Sequence, residues 1–153
     1  MKYAKYYMKV LWNTWPQAKN RYAQPDDDRL IEHLLPEGVN SFIDIGANDG
    51  VLFSNSYKFA KKGAIGLCVE PSRNSFRKLR LNHLFHPKVK CINSAVSNIN
   101  GQIFLNEDGY ESTLSCVSKT KNDNSYPVKC QTLDKILAKY SKFRDVDLLT
   151  VDV

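Results

Sequence analysis

A short turn rich in small residues carries the side chains best suited to chemistry. Residues 44–50 have the sequence DIGANDG, and they follow an apolar run and precede a helical pattern. Glycine lets the backbone approach a ligand with no Cβ in the way, and a helix N-terminus offers unpaired N–H groups to that ligand. The turn is therefore a candidate ligand-binding loop, carried by Asp44, Gly46, Ala47, Asn48 and Gly50.

An acidic residue stands at the spacing that a nucleoside site requires. Glu70 ends the next apolar run, 20 residues after Gly50. A carboxylate in that position can accept hydrogen bonds from both hydroxyls of an adenosine ribose. A purely structural alternative stays open, in which the glycines make a tight turn and Glu70 with Pro71 caps a helix. The glycine turn and Glu70 occur together at the spacing of a nucleoside site, which favours a nucleoside-binding edge over the structural alternative.

Short apolar runs predict the strands that hold these residues. Residues 42–45, 64–69 and 89–92 are compact runs typical of buried parallel strands. A fourth run begins at residue 146 and continues to the last residue. Because helical patterns alternate with these runs, the sequence predicts an α/β fold with a mostly parallel sheet and flanking helices, truncated after the fourth strand.

Helical spacing and capping residues predict the connecting helices. Phe53, Tyr57 and Ala60 fall on one face of a helix predicted after the glycine turn. Ser72 and Thr132 are the expected N-caps of two later helices, because a side-chain oxygen there can accept from an unpaired backbone N–H. These helices are expected to cover the sheet.

The segment after the third strand contains a turn signal. Asn100 and Gly101 separate residues 94–96 from residues 103–105, and both tolerate positive φ, which predicts a β-hairpin. Residues 106–127 are polar and rich in turn-forming residues, which predicts a loop.

Charge is concentrated at the N-terminus. Residues 1–24 carry five of the 22 basic residues and no acid, so the remainder has 17 basic and 16 acidic residues, a net charge of +1. A nearly neutral body argues against a nucleic-acid-binding domain. Residues 1–15 have amphipathic helical spacing, which is consistent with packing on the domain or with peripheral membrane contact. We therefore divide the chain into a leader, residues 1–24, and a domain, residues 25–153.

Apolar runs, cysteines and histidines limit the locations and the kinds of site that the sequence predicts. No apolar run approaches the roughly 20 residues that cross a bilayer, and no secretory signal is evident, which predicts a cytoplasmic protein. The cysteines are too widely spaced for a metal site and are expected to be reduced core residues, and the histidines are expected to have packing or surface roles. The cysteines are Cys68, Cys91, Cys116 and Cys130, and the histidines are His33, His83 and His86.

An ordered series of motifs resembles the FkbM family of methyltransferases. The likeness covers about residues 22–153 and begins with the YAQ sequence at residues 22–24. It continues through the glycine turn, the Glu70-Pro71 pair and residues 93–97. Later matches are residues 111–114, 128–134 and 147–153.

The resemblance implies a Rossmann-like methyltransferase fold that binds S-adenosylmethionine. Asp44 and Gly46 would then lie near the amino acid part of the cofactor and Glu70 would hold the ribose. Asn93, Ala95 and Val96 would flank the adenine. Asp152 would face the transferred methyl group as a candidate general base. The family precedent favours a small-molecule or glycan hydroxyl acceptor. The loop residues Glu111, Ser112 and Thr113 are candidates to contact that acceptor, and a solvated connection is the open alternative for this loop.

Two departures from the family pattern stand against this function. Relatives continue beyond the fourth strand, so the 153-residue chain is expected to be inactive by itself, and they usually carry a long side chain where Thr150 stands. A noncatalytic nucleotide-binding or interaction module is therefore an open alternative. A nicotinamide-dependent oxidoreductase is less favoured, because three non-glycine residues separate Gly46 from Gly50. A nucleic-acid methyltransferase is a further alternative, and the basic charge of the leader is the only feature that supports it.

Overall fold

The computed structural model of the protein describes residues 27–107, 115–118 and 125–152. The leader and the candidate residues Glu111, Ser112 and Thr113 lie outside these residues. The helices are α1 (Asp27–Leu34), α2 (Tyr57–Lys61), α3 (Arg73–Asn82) and α4 (Leu133–Lys139), with a 3-10 turn at Ser141–Phe143. The strands are β1 (Ser41–Ile45), β2 (Ile65–Val69), β3 (Val89–Ile92), β4 (Ala95–Val96), β5 (Gly101–Glu107), β6 (Ser115–Ser118), β7 (Ser125–Gln131) and β8 (Leu148–Val151).

The main sheet is parallel and has the strand order β3-β2-β1-β8. The chain moves from β1 outward to β2 and β3, and then returns to add β8 on the other side of β1. Ligands of open α/β sheets bind outside the carboxyl ends of the strands where the strand order reverses. That reversal lies between β1 and β8. The predicted Rossmann-like architecture is confirmed, since a mostly parallel sheet is flanked by helices.

Helices cover both faces of this sheet because side chains alternate along each strand. Phe42 of β1 joins a core with α1, α2 and α3, whereas Ile43 and Ile45 point to the other face, against α4 and the 3-10 turn. Buried contributors from the helices are Phe59, Ala60 and Leu79 on the first face and Ile136 and Phe143 on the second. The glycine turn therefore emerges from a strand that is packed on both faces.

The second sheet corrects two predictions. Its strand order is β4-β7-β5-β6, so β7 lies between the strands that Asn100 and Gly101 were expected to join. The hairpin prediction is wrong, and the Asn100 side chain instead accepts a hydrogen bond from Thr132 N at 3.1 Å. The loop predicted over residues 106–127 is also wrong in part, because β5, β6 and β7 extend into it.

The structure confirms the predicted helix caps, but one helix is shorter than predicted. Ser72 Oγ accepts from Ser75 N at 3.1 Å, and Thr132 Oγ1 accepts from Lys135 N at 3.2 Å, so both predicted N-caps are confirmed. The helix predicted from Phe53 begins only at Tyr57. Phe53 is 66% exposed and has φ 61°, so its predicted packing with the helix face is wrong.

Other chemical expectations concern the cysteines and the membrane. Cys68 and Cys130 are buried and Cys91 is half-buried, and all three are free thiols. Burial raises the pKa of the Cys91 thiol to about 11, which disfavours the reactive thiolate. Among the helices of the described residues, none combines the length and the apolar character needed to cross a membrane.

The buried phenylalanine of the 3-10 turn allows a test of the α4 face. Phe143 is fully buried, so we expect Phe143→Ala to lower the free energy of unfolding by about 3–5 kcal/mol. Phe85→Ala is the matched control, because Phe85 is 87% exposed and should change stability by less than about 0.5 kcal/mol. Urea unfolding followed by circular dichroism measures both. Equal effects would contradict the packing described.

Candidate functional site

The carboxyl ends of the parallel strands gather most of the predicted site residues at one edge. The glycine turn follows β1, and Glu70 follows β2. Asn93 and Asp152 follow β3 and β8. The strand order therefore puts Glu70 between Asn93 and the turn, with Asp152 on the other side of the turn.

Glu70 ties the glycine turn to the start of α3. Its side chain is almost fully buried, and Oε2 accepts a hydrogen bond from Asn48 N at 2.8 Å. Oε1 accepts from Ser72 N at 2.7 Å. Because a carboxylate oxygen can accept more than one hydrogen bond, these contacts are compatible with holding a ribose hydroxyl as well.

Asn93 fixes the backbone on the β3 side of Glu70. Its Nδ2 donates to the carbonyl oxygens of Glu70 at 2.8 Å and Pro71 at 3.0 Å. Ala95 is buried in the core of the second sheet, whereas Val96 packs against the α4 side of the main sheet. The residues predicted to flank an adenine therefore connect the two sheets.

Asp44 is a buried acid that joins β1 to two other elements. Ser56 Oγ donates to Oδ2 at 2.5 Å, and Thr150 Oγ1 on β8 donates to Oδ1 at 2.8 Å. Desolvation by burial raises the pKa of Asp44, the two hydroxyl hydrogen bonds lower it, and repulsion from Asp152 raises it. A cation close to both carboxylates would relieve that repulsion.

Gly46 allows the end of β8 to approach the turn. It has φ 82°, and an added Cβ would lie 1.7 Å from the backbone oxygen of Asp152. Gly46 N and Ala47 N both donate to Val69 O, at 2.9 and 3.1 Å, while Asp152 N donates to Ile45 O at 2.8 Å. The glycine is thus required by a contact between protein backbones.

Gly50 serves a similar contact with α3. An added Cβ would lie 2.5 Å from Leu79 Cδ1 and 2.8 Å from His83 Nε2. The neighbouring Asn82 side chain donates to Asp49 O at 2.8 Å. The C-terminal end of α3 therefore supports the second half of the turn.

His83 and His86 lie together after the end of α3. Their Nδ1 atoms are 3.3 Å apart, and the Tyr57 ring packs edge-on against both imidazoles. Among the described residues, His83 Nε2 has no hydrogen-bond partner. Burial, with a smaller contribution from His86, lowers the pKa of His83 to about 4. His83 and His86 therefore make packing contacts, which is one of the two roles expected for the histidines.

Sequence reasoning missed several residues that shape this site. Ser56 and Thr150 bind Asp44, and Asp49 Oδ1 accepts from Val51 N at 2.8 Å and Leu52 N at 2.9 Å. Asp49 had a usable signal, because an aspartate commonly bonds the backbone two residues later in a turn. Thr150 had none, because its partnership follows from the register of β1 and β8.

Comparison with known proteins gives one match. The model of the Methyltransferase FkbM domain family matches residues 44–153. No curated protein and no solved structure matches the chain. The matched range includes the glycine turn, Glu70, Asn93 and Asp152.

Because the backbone oxygen of Asp152 lies against Gly46, we expect a methyl group at position 46 to destabilise the fold. We expect Gly46→Ala to destabilise the fold by at least about 2 kcal/mol more than Gly38→Ala does. Gly38 is the matched control because it has φ 88° with no atom within 4 Å of an added Cβ, so that variant measures backbone strain alone. Urea unfolding of both variants provides the comparison, and equal losses would show that the close approach is unimportant.

His83 predicts a loss of stability in mild acid. The unfolded chain binds a proton near the ordinary pKa of 6.5, whereas folded His83 stays neutral to about pH 4, so stability falls as pH drops through that window. Between about pH 7 and about pH 5 this contribution amounts to roughly 2 kcal/mol. His83→Gln should remove that part of the pH dependence measured by urea unfolding. His33→Gln, at an exposed position, should leave it intact.

Proposed function

Since this chain belongs to the FkbM family of methyltransferases, as its motif series predicted, we propose that S-adenosylmethionine is its methyl donor and binds where the parallel strands end. The observation that carries the proposal is the position of Glu70. Its buried carboxylate is held by Asn48 N against the glycine turn, and this turn follows β1, where the strand order reverses. A carboxylate there is suited to the two hydroxyls of a ribose.

The remaining cofactor contacts follow from the same edge. Glu70 would bind the ribose, and Asn93, Pro71, Ala95 and Val96 would border the adenine. The turn formed by Asp44, Gly46, Ala47, Asn48 and Gly50 would hold the methionine part. The carboxylates of Asp44 and Asp152 support this orientation, because the sulfonium and the amino group of the cofactor are both positively charged.

The acceptor is proposed to be a hydroxyl group of a sugar, a glycan or another small molecule. Bound S-adenosylmethionine supplies a methyl group activated by the positive charge on its sulfur. Asp152 is exposed at the end of β8 and would accept the proton of the acceptor hydroxyl. The protein's main contribution would be to align the hydroxyl oxygen with the methyl group. Glu111, Ser112 and Thr113, between β5 and β6 in the sequence, are proposed to contact the acceptor.

Calorimetric titration of S-adenosylmethionine into the purified chain tests the cofactor and the role of Glu70 together. We expect Glu70→Gln to weaken binding by about tenfold or more, because hydrogen bonds to a charged acceptor are lost. Asp147→Asn is the matched control. Asp147 Oδ2 also accepts from two backbone N–H groups, those of Asn40 at 2.8 Å and Ser41 at 2.9 Å, but at the opposite edge of the sheet.

The control should be destabilised and yet bind with unchanged affinity. A folded wild-type chain that fails to bind S-adenosylmethionine would contradict the cofactor assignment. Wild-type affinity in Glu70→Gln would contradict the ribose assignment alone. Competition by a nicotinamide dinucleotide would favour the oxidoreductase alternative.

A further inference from the structure

Phe53 combines two unfavourable features at one position. Its side chain is 66% exposed, and its backbone has φ 61°. Among the described residues, the other non-glycine residue with positive φ is Asn48, and asparagine tolerates that conformation far better than a bulky aromatic residue does. Strained residues of this kind concentrate at ligand-binding sites, where the strain is part of the function.

The backbone around Phe53 is held on both sides. Before it, Asp49 Oδ1 accepts from Val51 N at 2.8 Å, and the Val51 side chain is fully buried. After it, Ser54 Oγ accepts from Tyr57 N at 3.1 Å. The ring is therefore presented outward by a fixed segment.

The segment carrying Phe53 is anchored to the acidic part of the proposed site. Ser56 donates a hydrogen bond from its hydroxyl to Asp44. Because Ser56 is three residues after Phe53, the α-carbons of these two residues are at most about 11 Å apart. Asp44 in turn interacts electrostatically with Asp152. Phe53 is thus an exposed aromatic residue on the segment that reaches Asp44, and the face of an aromatic ring attracts a cation.

We propose that Phe53 contacts the positively charged sulfur of S-adenosylmethionine and makes the site favour this cofactor over its neutral product, S-adenosylhomocysteine. This inference rests on the proposed use of S-adenosylmethionine. Methyl transfer breaks the carbon–sulfur bond with its electron pair left on sulfur, while the acceptor oxygen gains the methyl group and loses its proton. The sulfur becomes neutral, so the attraction to the ring ends when the product forms and product release becomes easier.

Calorimetric titration with both ligands tests the role of Phe53. We expect Phe53→Leu to raise the dissociation constant of S-adenosylmethionine about tenfold and that of S-adenosylhomocysteine less than about twofold. Phe85→Leu is the matched control, since Phe85 is an exposed phenylalanine on the turn after α3, and neither constant should change. Phe53→Gly should lose the same preference while its unfolding temperature stays equal or rises, because glycine adopts positive φ without strain.

The outcomes separate this inference from the proposed function. A folded wild-type chain that binds neither ligand would overturn the proposed function and this inference with it. If the wild-type chain binds both ligands, equal losses for the two in Phe53→Leu would overturn the charge-selective contact. Unchanged constants in Phe53→Leu would overturn any contact between the ring and the cofactor.

Discussion

Two backbone N–H groups from different turns converge on the buried carboxylate of Glu70, and the geometry of the carboxyl edge depends on that convergence. Asn48 N belongs to the turn after β1, and Ser72 N belongs to the N-cap residue of α3. A buried carboxylate without such partners would be strongly destabilising. Asn93 adds a third connection by donating to the carbonyl oxygen of Glu70. The carboxylate and the backbone carbonyl of Glu70 together therefore link the segments that follow β1, β2 and β3.

Asp44 plays the corresponding part on the other side of β1. It lies within a strand whose neighbouring residues are apolar, where burial opposes its charged form. The hydroxyls of Ser56 and Thr150 compensate in part, and they attach the segment before α2 and the strand β8 to the same carboxylate. An apolar residue at this position would pack with less electrostatic cost. An acid at this position is consistent with a site that receives a cationic ligand.

The sequence predicts the parts of this structure that local chemistry determines. The strands β1, β2 and β3, the caps at Ser72 and Thr132, and the shared edge of Glu70 with the glycine turn were all foreseeable, because capping and parallel pairing follow simple rules. The hairpin at Asn100 failed because β7, more than 20 residues later, takes the place between the two expected partners. Local turn preference cannot foresee such a competitor.

The other failures have the same physical origin. The helix predicted from Phe53 does not form there, because hydrogen bonds to the side chains of Asp49 and Ser54 hold that segment in a different conformation. Thr150 and Asp44 are 106 residues apart in the sequence, so their hydrogen bond depends on the register of two strands. The positions that sequence reasoning misjudged are thus set by tertiary contacts, and several of them border the proposed site.

The glycines of the turn acquire a different meaning from the one that their spacing first suggested. Ligand approach was the expected reason for them, but the space beside Gly46 is filled by the backbone oxygen of Asp152, and the space beside Gly50 by Leu79 and His83. A side chain at Gly46 would push the end of β8 away from the end of β1. Since the proposed methyl donor lies on the turn and the proposed base lies at the end of β8, Gly46 sets the distance between them. The motif would then act on the reaction through packing, even where it makes no direct contact with a ligand.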